Sequence, residues 1–253
     1  MKKIIIFIKS MLFSITSFSI TVPWSFIFIV LWLIPFVPDK RYKCDKMATE
    51  WGKFMLYLLK IFTGIKWNIT GYDKLEKKPY IIVGKHESTW ETLVMHSFMK
   101  PSPIFILKKQ LLFVPFMGWC LATANNIPIN RGDGIGAIRK ILKDGKKYIK
   151  KGHSLIIFPQ GTRVLPESTT KEYPYKVGFI GIIKEFKVDI VPMALNSGKY
   201  WSKKKFLKEK GTIRMEFLPP IKYEDIENLK KEDLLLMIEN IIEKRSLELS
   251  KMD

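Results

Sequence analysis

The sequence has little of what several kinds of chemistry require. It holds 2 cysteines and 3 histidines in 253 residues. Cys44 and Cys120 stand far apart, without metal-ligand spacing, so no metal site is expected and the two read as thiols in a reducing compartment. Histidine-dependent chemistry is confined to His86, His96 and His153. No G-x-S-x-G element occurs, which argues against a Ser–His–Asp hydrolase of that type. Acids are scarce as well: 24 Asp and Glu face 43 Lys and Arg, a formal charge of +19. This excess predicts attraction to polyanions, whether nucleic acid, anionic headgroups or phosphorylated substrates, and says little about fold. RRM, KH and zinc-finger patterns are missing, so nucleic acid is the partner the sequence argues against. There is no internal repeat, low-complexity tract or Gly-rich linker, and 47% of residues are hydrophobic. One sizeable packed domain with an appended segment is the economical reading.

Charge is missing altogether from residue 10 to residue 38, where Phe, Ile, Leu, Val and Trp dominate. The stretch exceeds the ~20 residues that cross a hydrocarbon core as a helix. It lacks the shorter apolar run and small-residue cleavage site of a signal peptide, so it is expected to stay in the mature protein. Basic residues flank both ends: Lys2, Lys3 and Lys9 before, Lys40, Arg41, Lys43 and Lys46 after. A single span cannot place both flanks on the cytoplasmic side. A re-entrant or surface-lying helical hairpin, bent at Pro23 or Pro35, satisfies both, with a plain span as the alternative. Residues 1–45 are thus expected as a membrane-attachment segment and residues 46–253 as the catalytic domain.

Beyond it, strand-like runs at residues 67–70, 80–83, 104–107, 127–129, 155–158, 190–194 and 212–217 alternate with helical patterns. The helices are expected at residues 47–62, 88–98, 109–121, 135–150, 177–186 and 232–247. This alternation predicts an α/β domain with a mostly parallel or mixed sheet flanked by helices. Residues 134–152 set seven Lys or Arg against Asp144, with Ile135, Ile138, Leu142 and Ile149 at roughly helical spacing. A basic amphipathic helix on an anionic bilayer and an ordinary domain helix with a solvated lysine face both fit. The same two readings hold for the lysine run with Trp201 and Phe206 at residues 199–210.

The stretch Lys85-His86-Glu87-Ser88-Thr89-Trp90-Glu91 follows an apolar strand-like run. A histidine at a strand's C-terminal end lies where α/β sheets build their sites. Positions five apart on one straight helix point about 140° apart, so His86 and Glu91 meet only if His86 precedes the helix and Glu91 sits on its first turn. Ser88 and Glu91 have the form of a capping box that starts a helix there. Two readings follow. Glu91 bonds only the helix-start amides, or it orients the imidazole of His86 so that the other ring nitrogen serves as a base.

His86-x-x-x-x-Glu91 resembles the HxxxxD signature of the glycerolipid acyltransferase family, the lysophosphatidic acid acyltransferases and their relatives. Further blocks follow in the family's order. Ile127-Pro128-Ile129-Asn130-Arg131 resembles its block ending in arginine, Phe158-Pro159-Gln160-Gly161-Thr162-Arg163 its FPEGTR block, and Val191-Pro192-Met193-Ala194 its VPxA block. The likeness spans about residues 80 to 200. It implies acyl transfer from acyl-CoA or acyl-carrier protein to the 2-hydroxyl of lysophosphatidic acid, with no cofactor. It implies membrane phospholipids as partners and a cytoplasmic-membrane location with the catalytic domain facing the cytoplasm. His86 and Glu91 are then the catalytic pair. Arg131, Gln160, Gly161, Thr162, Arg163 and Lys108 are the substrate-binding candidates, arginine because its guanidinium fork matches phosphate oxygens. Backbone N–H groups of Gly161 and Thr162 are offered to the phosphate or the oxyanion.

Two positions depart from the family. Glu91 replaces Asp, which moves the carboxylate outward by one methylene. Gln160 replaces Glu, which removes a charge near Arg163, so acceptor preference is in question more than reaction type. Glycerol 3-phosphate or another lysolipid is the alternative acceptor, and a non-catalytic binder of anionic lipid is the alternative of another class.

Overall fold

The computed structural model describes residues 1–203 and 205–252. Lys204 of the lysine run, and the side chains of Lys40 and Arg41 of the basic flank, lie outside the described residues.

Helix α1 (Lys2–Leu33) leads into α2 (Lys40–Thr63). The strands are β1 (Ile65–Thr70), β2 (Ile81–Gly84), β3 (Ile104–Lys108), β4 (Asn126–Ile129), β5 (Leu155–Ile157), β6 (Ile190–Leu195) and β7 (Gly211–Phe217). Between and after them lie α3 (Trp90–Phe98), α4 (Met117–Thr123), α5 (Gly134–Ile149), α6 (Gly178–Phe186), the short α7 (Tyr223–Ile226) and α8 (Lys231–Lys251). All seven strand expectations are met. The sheet runs β1-β7-β6-β2-β5-β3-β4. Only β6 and β7 pair antiparallel, so β6, β2, β5, β3 and β4 point one way and end on one edge.

Strands β2 and β6 are buried at every position, as parallel strands covered on both faces must be. Alternate residues feed two cores. Ile82, Val191 and Met193 meet Leu56, Leu59, Trp90 and Met95 of α2 and α3, with Phe13 of α1 in the same cluster. Ile81, Val83 and Ile190 face Ile141, Ile180, Ile183, Leu234 and Ile238 of α5, α6 and α8. The apolar stripe of α5 therefore docks on the sheet: Ile138, Leu142 and Ile149 pack against that second core. The domain-helix reading of this basic segment holds. Trp201 of the lysine run packs against the first core, its ring on Phe13, while Phe206 stays exposed against Phe7 of α1.

Two expectations need correction. Of the two prolines expected as break points, Pro23 does not bend the segment, since α1 runs through it as one helix of 32 residues, and the chain turns at Pro35 just beyond its end. Pro23 removes one helical bond, but the helix is braced on both sides of it by α2 and α4. Nearby hydroxyls bond backwards onto carbonyls, Thr21 to Ser17 and Ser25 to Thr21, each at 2.7 Å, and Trp51 of α2 donates to Thr21 at 3.2 Å. Such neighbours are what make proline tolerable in an apolar helix. A helical hairpin does form, but its second arm is α2, so residue 45 falls inside an arm. Residues 109–121 are not one helix either. A 3₁₀ turn (Lys109–Phe113) gives way at Pro115: Val114 before it is extended, as the clash ahead of a proline favours, and Phe116 after it has φ of +64°.

By length and composition α1 is able to cross a membrane. Ile4, Phe7, Leu12, Phe18, Phe26, Ile27, Val30 and Leu33 all stand exposed along it.

Candidate active site

Because five strands end on one edge, the segments after β2, β4, β5 and β6 converge there. His86 lies in the loop after β2, before α3 begins. Its ring stacks on Phe158, with centroids 4.1 Å apart and planes 15° from parallel. Its carbonyl accepts the Val164 N–H at 2.8 Å, tying the loop to the end of the FPQGTR-like block.

Glu91, on the first turn of α3, is fully buried. Its Oε1 accepts the N–H groups of Glu87 and Ser88 at 2.9 and 2.8 Å and the Ser197 hydroxyl at 2.6 Å. Its Oε2 takes the Ser88 N–H at 3.1 Å and lies 3.9 Å from His86 Nδ1. The capping reading of Glu91 is thus met, both oxygens bonding helix-start amides, and Oε2 also faces the imidazole. The 3.9 Å gap is longer than a hydrogen bond, and among the described residues Nδ1 has no hydrogen-bond partner. With Nδ1 turned to Glu91, Nε2 is the ring nitrogen left for a substrate.

Burial pushes Glu91 up to about 7. Burial, followed by the positive charges of Arg163, Arg131 and Lys203, holds His86 down to about 3. The directions agree: the site resists charge, and the imidazole rests neutral.

The cations come from neighbouring loops. Arg163 donates to Thr89 Oγ1 at 2.7 Å, which sets the guanidinium beside His86. Arg131, in the turn after β4, donates to the Gly161 carbonyl. Lys203 donates to Thr162 Oγ1 at 3.3 Å. Gly161 has φ of +69°, and its N–H closes the turn onto Phe158 O at 2.9 Å. That amide is thus engaged in the turn and not turned to an oxyanion. Gln160 is buried, its Oε1 without a hydrogen-bond partner among the described residues, and Arg163 takes its bearing from Thr89. Lys108 ends β3 with an exposed side chain; among the described residues no hydrogen bond or ion pair joins it to the others. Thr89, Phe158, Ser197 and Lys203 were not singled out by sequence reasoning. Thr89 and Phe158 lie inside the quoted motifs, whereas nothing local marks Ser197 or Lys203.

Next to His86 opens a cavity of about 350 Å³ that has His86, Thr89 and Arg163 in its wall. Its remaining wall is mostly apolar, with Trp24 and Phe28 of α1, Trp51 of α2, Leu93 of α3, Phe105 of β3 and Leu121 of α4. It reaches Asn126 at the start of β4, so it runs along the sheet away from the catalytic edge. A polar cavity of about 450 Å³ at the opposite edge, beside Asp45, Lys100 and His153, is separate from His86.

A neutral imidazole, a buried glutamate, cations on one side and a mostly apolar channel on the other thus meet at one edge of the sheet. The chain belongs to the acyltransferase family, whose model matches residues 66–196. It is 32% identical over 192 residues to a 1-acyl-sn-glycerol-3-phosphate acyltransferase of Pseudomonas aeruginosa, covering 76% of this chain and 72% of that one. A protein of the same name from Helicobacter pylori is 31% identical over 182 residues, 68% of this chain and 75% of that one. The crystal structure of the 1-acyl-sn-glycerophosphate (LPA) acyltransferase PlsC from Thermotoga maritima shares the fold, with a TM-score of 0.79 at 18% identity over 100% of this chain and 99% of that one.

Proposed function

We propose that the protein transfers an acyl group from acyl-CoA or acyl-carrier protein to the 2-hydroxyl of 1-acylglycerol 3-phosphate, forming phosphatidic acid at a membrane. The observation that carries this reading is the placement of His86, with Arg163 beside it, in the wall of an apolar cavity. Both named relatives act, by their names, on that acceptor.

His86 Nε2 takes the hydroxyl proton as the oxygen attacks the thioester carbonyl. The tetrahedral intermediate then collapses: the C–S bond breaks, and the thiolate leaves with the proton returned by the imidazolium. Glu91 Oε2 faces the imidazolium while it exists. A thioester is already activated, so this sequence needs no enzyme-bound acyl group. Arg163 and Arg131 supply guanidinium forks for the acceptor phosphate. Binding that phosphate also neutralises cations that depress His86, so the acceptor raises the basicity of the group that deprotonates it. The cavity takes the acyl chain, where each CH₂ gains about 0.8 kcal/mol by leaving water. The exposed apolar face of α1 supports docking on a bilayer that holds acceptor and product.

The test is acyl transfer by membranes carrying the protein, with labelled lysophosphatidic acid and each donor in turn. Phosphatidic acid should form, and His86→Ala should lower kcat by about 10²–10⁴-fold. Arg163→Ala should raise the acceptor KM. No product with either donor would refute the acceptor assignment, and turnover surviving in His86→Ala would refute the mechanism. The donor that works separates coenzyme A from carrier protein.

A further inference from the structure

Glu87, between His86 and Ser88, is 1% exposed. Its Oε2 accepts the Gly198 N–H at 2.9 Å, and among the described residues its Oε1 has no hydrogen-bond partner. Its own backbone N–H donates to Glu91 Oε1 at 2.9 Å, and that same oxygen takes the Ser197 hydroxyl at 2.6 Å. Ser197 and Gly198 are neighbours in the 3₁₀ turn Ser197–Lys199 that follows β6. These contacts close a ring: Glu87 N–H to Glu91, Glu91 to Ser197, Ser197 along the chain to Gly198, and Gly198 N–H back to the Glu87 carboxyl. The ring joins the loop after β2 to the turn after β6. It leaves no slack, since a Cβ on Gly198 would stand 2.9 Å from both Glu87 Cβ and Pro166 Cδ. On the other side of His86, Lys85 is pinned by Glu243 of α8 at 2.9 Å and by the Pro166 carbonyl at 3.1 Å.

We propose that Glu87 is a positioning residue: its carboxyl holds the Ser197–Lys199 turn in place and, through Ser197, keeps the Glu91 carboxylate aimed at His86. The proposal rests on the reading of His86 and Glu91 as the catalytic pair. The Glu87 and Ser88 amides, the latter bonded to both carboxylate oxygens, come from the same loop as His86. Ser197 is the donor from another element. Without it the terminal torsion of Glu91, intrinsically broad, has room to turn Oε2 away from the imidazole. The chemistry of Glu87 suits an anchor. Burial pushes it up to about 8, with Glu91 and Glu243 adding to the rise and Lys85 opposing it. A neutral carboxyl tolerates an unbonded buried oxygen far better than a carboxylate does. A glutamine there keeps a carbonyl oxygen for the Gly198 N–H.

The experiment is a double-mutant cycle on the membrane-bound enzyme, using Glu87→Ala, Ser197→Ala and both together, with Glu87→Gln and His86→Ala alongside. Each single alanine variant should lower kcat by about tenfold, part of what a general base contributes, and leave the acceptor KM unmoved. The double variant should be no slower than the slower single one, because both act through one contact. Glu87→Gln should recover most of kcat. Additive losses, an effect on KM alone, or Glu87→Gln as slow as Glu87→Ala would overturn the proposal. Should Glu87→Ala fail to fold, Ser197→Ala with wild-type kcat would overturn it by itself. An active His86→Ala would overturn instead the catalytic reading beneath it, so the two failures are distinct.

Discussion

At the scale of the residue, the active pair rests in the charge state opposite to that of an ion pair. Glu91, pushed up to about 7 by burial, gains its carboxylate form as pH rises through that value. His86, held down to about 3, is neutral across the working range. The carboxylate form is the one that stabilises an imidazolium, so activity should follow Glu91. Measured from about pH 5 to about pH 9, kcat is expected to rise along a single limb near pH 7. In Glu91→Gln that limb should disappear and the plateau fall; a limb that persists would belong to another group. The heptapeptide around His86 was enough to put these two residues on a strand end and a helix start. The capping box was legible there too, but the 3.9 Å gap and the Ser197 hydroxyl on Glu91 were not, because both depend on how the strand ends come together.

At the scale of the element, the hairpin of α1 and α2 is part of the catalytic cavity as well as the apolar outside of the molecule. Trp24, Ser25 and Phe28 of α1 and Ala48 and Trp51 of α2 wall the channel that starts at His86. A larger side chain on α2 should therefore shorten it. Ala48→Phe is expected to shift donor preference to shorter acyl thioesters by about tenfold or more, given that one methylene in an apolar pocket is worth about 1–3 kcal/mol. Competition between donors of different chain length checks this, and unchanged preference would place the acyl chain elsewhere. The periodicity of residues 232–247 and the burial of β2 and β6 were readable locally. The break at Pro115 and its absence at Pro23 were not, since whether a proline is absorbed depends on what packs around it, as α2 and α4 do along α1.

At the scale of the whole molecule, the formal charge of +19 and the exposed apolar face of α1 are two separate routes to a bilayer. They respond differently to salt. Charge attraction falls off over a screening length of about 3 Å at 1 M ionic strength, whereas apolar burial persists. If α1 is the anchor, washing membranes with about 1 M salt should leave the protein bound and detergent should release it. Release by salt alone would make the lysine surface the attachment.

The sequence by itself determined the α/β class, the seven strands and the order of the motifs, and it singled out His86, Glu91, Arg131 and Arg163, which the fold gathers at one edge of the sheet. Period, capping and motif spacing are properties of neighbours along the chain. Only the tertiary structure decided that α2 and not the second half of the apolar segment closes the hairpin. It alone decided that α5 serves the core and that Gly161 turns its amide inward. It also brought Ser197, Gly198 and Glu87 into one ring behind the catalytic pair. Those contacts join residues far apart in the chain, and the parallel strands ending on one edge are what bring them within hydrogen-bonding distance.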